Sequence, residues 1–375
     1  MKLAHPLLMM MTMTAWGFCN LAQAQSGVTI YGVLDVGVEH ITNTSAGGGL
    51  TRVPSNTGTV PSKLGLRGTE DLGDGLAAVF TLEMGIAPDQ GTLGQGGRAW
   101  GRQAFVGLSG PWGTVALGRQ YTMLFWSLEE ADILGPNLYG SSSLDAALPN
   151  ARTDNTLSYK GRFGAFTVGA TYSFGRDTVD AGPSPAGTNC PGEDASDHKA
   201  CKAWSALVKY DASSWGAALG FDRANGRHVG PAPDAVFGGL NSSDKSDTRV
   251  SANGWLKIAD VKLGAGLVRR TNDGDAIKPK SDLWYAGVSY PVMPKLVAEA
   301  EWLRLHYRGV SDHDSSLLAA RLVYAFSKRT AVYAQLAGID NDPLASVSVS
   351  GGAAGSAPAP GRSQRAVNIG LRHSF

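Results

Sequence analysis

The chain has 375 residues, with 33 Lys plus Arg against 32 Asp plus Glu, so its formal net charge is +1. That balance excludes the strongly basic footprint of a nucleic-acid-binding domain, and no nucleic-acid partner is expected. Its 49 glycines follow no collagen-like period, which fits many turns and closely spaced strands.

Residues 1–24, MKLAHPLLMMMTMTAWGFCNLAQA, carry an early cation at Lys2, an apolar centre around Leu7 to Met13, and the small-x-small ending Ala22-Gln23-Ala24. This pattern predicts a secretory signal cleaved after Ala24, leaving one domain over 25–375. Cleavage removes one cation and no acid, so 33 − 1 = 32 basic residues face 32 acidic ones. Beyond Ala24 no apolar run reaches the about twenty residues of a helical span. Cys190 and Cys201 remain, in a polar Gly/Pro/Asp stretch of an exported chain. Such a pair predicts a local disulfide pinning a long loop rather than a metal site.

From Gly27 to His40 the side chains alternate. Val28, Ile30, Leu34, Val36 and Val38 share one face; Thr29, Tyr31, Asp35 and Glu39 share the other. Pro61 to Asp71, the turn Leu72-Gly73-Asp74-Gly75, and Leu76 to Ile86 then read as a hairpin. The arrangement recurs, with strands expected near 99–109, 113–121, 151–160, 164–174, 202–211, 214–223, 247–258, 261–270, 282–291, 295–307, 315–326, 330–338 and 364–375. Short turns and longer loops alternate between them, seven against eight, which implies sixteen strands. In 296–307 the apolar phase slips after Trp302, and a bulge there is expected. Aromatics near strand ends, such as Trp204, Tyr210, Trp215 and Phe221, suit girdles at two membrane interfaces. The opposite faces are rich in Gly, Ser, Thr, Asn and charge, so the interior is expected to hold water. The reading is all-β: a 16-stranded antiparallel transmembrane β-barrel, closed because an open sheet edge in lipid leaves backbone groups unsatisfied.

SGVTIYGVLDVGVE at the start, SKLGLRGTEDLGDGL at 62–76, RQAFVGLSGPWGTVALGRQYT at 102–122 and NIGLRHSF at the end together resemble the general porins of Gram-negative outer membranes, in their betaproteobacterial branch. The resemblance implies a homotrimer in the cell outer membrane whose third long loop folds into the channel. It also implies outer-membrane lipid and lipopolysaccharide as surroundings, and Phe375 as part of the signal read by the outer-membrane insertion machinery.

The third loop is Met123 to Ala151, whose leucines and aromatics predict packing against a wall; it carries Glu129, Glu130, Asp132 and Asp145. Lys63, Arg67, Arg102 and Arg152 fall in the lumen phase of the strands that face it. By resemblance, Lys63, Arg102 and Arg152 match a basic wall opposed to an acidic loop. Opposed rows of charge across a narrow gap orient dipolar solutes and bias ion passage. Arg119 shares the outward phase of Val115 and Leu117 and is expected at a rim or subunit contact.

No G-x-S-x-G, H-E-x-x-H, P-loop or dinucleotide fingerprint occurs, so no enzyme activity and no cofactor are expected. His306 and His313 read as solvated residues at a loop mouth. The expected function is passive diffusion of ions and small hydrophilic solutes. A solute-specific porin, with Tyr31, Trp255 and Tyr285 in lumen phase, and a surface adhesin or receptor barrel are the alternatives.

Overall fold

The computed structural model describes residues 27–145, 147–178, 188–228, 239–351 and 355–375; the expected signal, 1–24, lies outside them. Among the described residues eighteen strands form, of which Leu50–Arg52 and Thr92–Leu93 are short pieces within loops. The other sixteen are β1 (Gly27–Ile41), β2 (Lys63–Gly73), β3 (Leu76–Ala87), β4 (Gln103–Gly110), β5 (Gly113–Tyr121), β6 (Arg152–Phe163), β7 (Phe166–Ser173), β8 (Ala203–Asp211), β9 (Trp215–Asn225), β10 (Ser246–Ile258), β11 (Val261–Asn272), β12 (Lys280–Met293), β13 (Leu296–Tyr307), β14 (Ser315–Ala325), β15 (Thr330–Asn341) and β16 (Gln364–Ser374). Each pairs antiparallel with its sequence neighbours. The ring closes on β1, which pairs with β2 from Gly27↔Thr69 to Val33↔Lys63 and with β16 from Val33↔Ser374 to Ile41↔Ala366.

Local chemistry sets the ends of the barrel. Asp74 and Gly75 both have positive φ (52° and 76°), the backbone a tight hairpin between β2 and β3 requires. Seven such short connections lie at one end, and the eight long loops lie at the other. Alternation then sorts the side chains: Leu318, Leu336 and Ile369 are 60–64 % exposed on the outer face, whereas Leu303, Leu317 and Ile339 are wholly buried inside. Outward aromatics pair near both rims, Phe166 with Tyr210 (4.9 Å) at the turn end and Trp204 with Phe221 (4.2 Å) at the loop end.

The bulge expected at Trp302 is absent. The β12–β13 and β13–β14 registers run unbroken through that residue, and the shift falls between Pro291 and Met293 instead. Proline lacks the ladder N–H, which favours a bulge there. The apolar phase changes for another reason: Trp302 points out, while Leu303 and Leu305 point in and are covered by the third loop.

That loop makes helix α1 (Met123–Leu128), helix α2 (Ser141–Leu144) and a 3-10 turn (Leu148–Asn150). Its Leu124, Leu128, Leu134 and Leu138 join lumen-phase residues such as Val268, Leu283, Leu303 and Leu317 in one buried cluster, so part of the bore is dry. Close approach depends on glycine: a Cβ at Gly264 would lie 2.2 Å from the Ala131 carbonyl oxygen. Polar clamps finish the docking. Glu301 accepts from the Ile133 and Leu134 amides (3.1 and 3.0 Å), and Arg249 forms a two-pronged pair with Asp145 (2.9 and 3.0 Å). These partners lie in lumen phase, so the loop lies along the inner wall.

Candidate functional site

The strand register brings one set of polar side chains onto a single patch of inner wall. Lys63 on β2 and Glu83 on β3 lie two rungs apart on one face. Gln103, next to Arg102, pairs with Glu83, and Tyr121 pairs with Arg152. Arg102 donates through Nε to Glu83 (2.7 Å) and through Nη2 to the Tyr121 hydroxyl oxygen (2.6 Å). Arg152 donates through Nη2 to the same oxygen (2.7 Å) and through Nη1 to the Pro149 carbonyl (3.0 Å). Glu83 also accepts from Tyr31 (2.9 Å) and lies 3.4 Å from the Lys63 ammonium. Both guanidinium groups are therefore held rigidly, at 5 % and 7 % residue exposure, Arg102 by the Glu83 carboxylate and Arg152 by neutral oxygens.

Opposite this wall runs the third loop, and its acids have separate fates. Glu129 is exposed beside the wall. Glu130 is tied to Lys262 on β11, away from the cations. Asp132 is buried and accepts from the Gly135 amide (2.9 Å) and Ser141 hydroxyl (2.6 Å). Burial pushes its carboxyl above the usual range against those bonds. Asp145 is committed to Arg249.

Lys63, Arg102, Arg152, Glu129 and Asp132 thus line one cavity of about 570 Å³. Arg67 does not; it stacks 5.3 Å from the Tyr31 ring centre and lines a separate space of about 350 Å³ with Trp126 and Lys160. Four residues along β2 from Lys63, Arg67 lies nearer the turn end, on the α1 side of the loop. Sequence reading missed three members. Glu83, Tyr121 and Arg321 line the same cavity, and Arg321 pairs with Glu299 (2.7 Å) while donating to the Gly58 carbonyl (3.1 Å). Glu83 and Arg321 lie where the lumen phase puts them, so strand phase was the available signal; Tyr121 shares the outward parity of Val115 and Leu117 and turns inward only through the bulge between Gly118 and Gln120. Four cations (Lys63, Arg102, Arg152, Arg321) then face three acids (Glu83, Glu129, Asp132) around the cavity.

The remaining sequence candidates lie elsewhere. Cys190 and Cys201 are disulfide-bonded in the fourth loop. Arg119 lies at a bulge in the β5–β6 ladder and pairs with Asp154 (2.6 Å). Tyr285 is buried beneath the third loop, and Trp255 donates to Asp211 (3.0 Å), so the lumen aromatics form no track. His306 contacts Asp314 (2.7 Å), and His313 lies 2.6 Å from the Ser311 carbonyl. Phe375 exchanges both backbone hydrogen bonds with Gly32 (3.1 Å each), its ring lying where a Cβ on Gly32 would be.

A closed sixteen-strand antiparallel barrel with a greasy outer band and a charged, loop-narrowed interior defines an outer-membrane channel protein. The Gram-negative porin family model matches residues 10–344, and the chain belongs to that family. It is 28 % identical over 369 residues to outer membrane porin protein 32 of Delftia acidovorans, covering 94 % of this chain and 95 % of that one. It is 30 % identical over 298 residues to an outer membrane porin protein of Bordetella pertussis, covering 74 % and 70 %. The solved anion-selective porin from Comamonas acidovorans superposes with a TM-score of 0.72 at 27 % identity, covering 94 % of this chain and all of that one. This chain is thus an outer-membrane porin of the betaproteobacterial branch.

Proposed function

We propose that the barrel is a general diffusion pore for ions and small hydrophilic solutes, without turnover or energy input, and that it favours anions. The observation carrying this reading is the fixed wall of Lys63, Arg102 and Arg152, joined by Arg321 in a cavity where cations outnumber acids four to three. Anions concentrate where a cationic field is focused by low-dielectric walls. The similar porin from Comamonas acidovorans is described as anion-selective, which supports the sign.

On the same reading the chain is exported with residues 1–24 removed and assembles as a homotrimer among outer-membrane lipid and lipopolysaccharide. Phe375, at the edge where the barrel closes on Gly32, is then part of what the insertion machinery recognises. Reconstitution into planar bilayers under a salt gradient tests the function. A stable ohmic conductance with a reversal potential of anionic sign is expected. A cationic sign removes the selectivity assignment, and no conductance removes the pore.

A further inference from the structure

The outer face of β11, β12 and β13 changes character at the loop end. Arg269, Lys280 and Arg304 occupy there the outward positions that Leu263, Trp284 and Trp302 hold nearer the middle of the same strands, and all six are exposed. The register sets Arg304 directly beside Trp284, and Arg269 directly beside Asp282, one outward position closer to the loops. Two strand intervals, about 10 Å, separate the two arginines across the sheet.

Charge in this patch does not balance. Arg269 donates through Nε and Nη2 to the two oxygens of Asp282 (2.9 and 3.0 Å), and Arg308, just after β13, reaches the same carboxylate at 3.3 Å. One nearly buried acid thus holds two guanidinium groups, and Arg269 is still half exposed. Arg304 donates to Asp314 (3.2 Å), which also contacts His306 (2.7 Å) and accepts from the Tyr307 amide (2.9 Å), and it too stays half exposed. Lys280 forms no ion pair among the described residues. Four cations therefore share two acids. Across β14 and β15 the surplus ends, because the next residues on the Arg304 rung are Ser316 and Asp340, and Asp340 pairs with Arg365 (3.4 Å).

Long loops mark the external end of an outer-membrane barrel, so this patch meets the headgroups of the outer leaflet. Trp284 and Trp302 sit where interfacial aromatics lie, at the boundary of headgroup and hydrocarbon. Half-exposed guanidinium groups with donors to spare suit phosphate. Both acids are already turned onto arginines, His306 or a backbone amide, so neither is open to share a divalent cation with that phosphate. Resting on the lipopolysaccharide surroundings proposed above, we infer that the outer face of β11 to β13 is a direct, metal-independent site for the doubly phosphorylated disaccharide headgroup of one lipopolysaccharide molecule. One phosphate meets Arg269 and Lys280, the other meets Arg304, and the sugars lie over Trp284 with the acyl chains along the apolar band below.

The test titrates the full assembled protein in detergent and EDTA with bisphosphorylated lipid A, phosphate-free lipid A or phosphatidylglycerol, and counts bound lipid by native mass spectrometry. Bisphosphorylated lipid A is expected to bind saturably at one molecule per chain, and the other two lipids about tenfold more weakly or worse, the worth of one charge-assisted contact. Arg269→Gln with Arg304→Gln should weaken lipid A by about a hundredfold, tenfold for each group, and leave conductance unchanged because neither side chain faces the bore. Asp282 keeps Arg308 and Asp314 keeps His306 in that variant, so neither acid is stranded. Equal binding of phosphate-free lipid A or phosphatidylglycerol overturns the site, as does binding that appears only with added magnesium. So does a double variant that dissociates into monomers with its lipid count unchanged, since the face is then a subunit contact. The comparison of lipids on the unaltered chain decides the matter even if the variant does not fold. Lipid A held equally well without the two arginines removes this site and leaves the lipopolysaccharide surroundings standing; a chain that binds no lipid A loses both.

Discussion

Replacing Arg102 and Arg152 together by Gln takes two cations from a cavity that holds four against three acids, turning a surplus of one into a deficit of one. For an ion passing about 7 Å from each charge, the interaction in water-like dielectric is about 0.6 kcal/mol. Screening over a Debye length of about 8 to 10 Å roughly halves it. Each lost cation then favours the cation and disfavours the anion by about 0.3 kcal/mol apiece, a factor of about 2.7 in their permeability ratio. The pair predicts a fall of about sevenfold in anion over cation permeability, read from the reversal potential of single channels in a salt gradient. Glu83→Gln should move the potential the other way, since it frees Arg102 and Lys63 from their shared acid. Far-UV circular dichroism and oligomer mobility in mild detergent check that the barrel has formed. A folded double variant with an unchanged reversal potential would refute the assignment of selectivity to this wall.

Three further outcomes follow from the packing. Asp145→Ala leaves Arg249 with Asp247 as its remaining acid, so it should cost about 2 kcal/mol, less than the about 3–5 of a fully stranded buried charge, and increase open-channel noise. Burial alone would raise the Asp145 carboxyl, but Arg249 outweighs it and holds the carboxyl below the usual range; the latch therefore stabilises above the ordinary carboxylate value of about 3.9 and is lost as pH falls through the depressed one, so added noise should appear only below about pH 4. Leu317→Ala empties a fully buried position under the loop and should cost about 2–5 kcal/mol in thermal unfolding, with the strand content of the barrel retained. Deleting Phe375 removes the last backbone pair with Gly32 and should lower the amount reaching the outer membrane several-fold while protein refolded into detergent still conducts; equal yield would remove its role in assembly.

Period-two alternation made the barrel readable because lipid and water impose opposite demands on successive side chains. β13 misled because a third environment exists inside: Leu303 and Leu305 point away from lipid yet meet no water, being roofed by Leu124 and its neighbours. Nothing local in the strand encodes that roof. The same limit applies to charge. Strand phase located Lys63 and Arg152, and the family resemblance Arg102, which precedes β4 with the parity of outward Val106 and Leu108; Arg67 has the lumen phase yet misses the constriction because depth along the bore depends on where the loop crosses. Glu83 and Tyr121 escaped notice because a carboxylate and a phenol near strand ends look ordinary until the fold sets Glu83 between Arg102 and Lys63 and Tyr121 between Arg102 and Arg152.

Stiffness and selectivity in this constriction have one origin. A loop spanning an aqueous bore must be tied to the wall, and the groups most able to bind backbone amides and arginines inside are carboxylates. Glu130, Asp132 and Asp145 are used in that way, each compensated by Lys262, by hydrogen-bond donors of the loop, or by Arg249. An acid so compensated contributes a dipole to the bore rather than a net charge. Among the cations opposite, Arg152 is treated differently. Arg152 is fixed by a phenol oxygen and a carbonyl, both neutral, so it is positioned without being neutralised. Of the wall cations, Arg152 alone is held by neutral acceptors, while Arg102 and Lys63 share Glu83 and Arg321 pairs with Glu299. On the proposed reading, the bias toward anions rests on Arg152 and on two cations sharing Glu83, without an excess of basic residues in the chain as a whole.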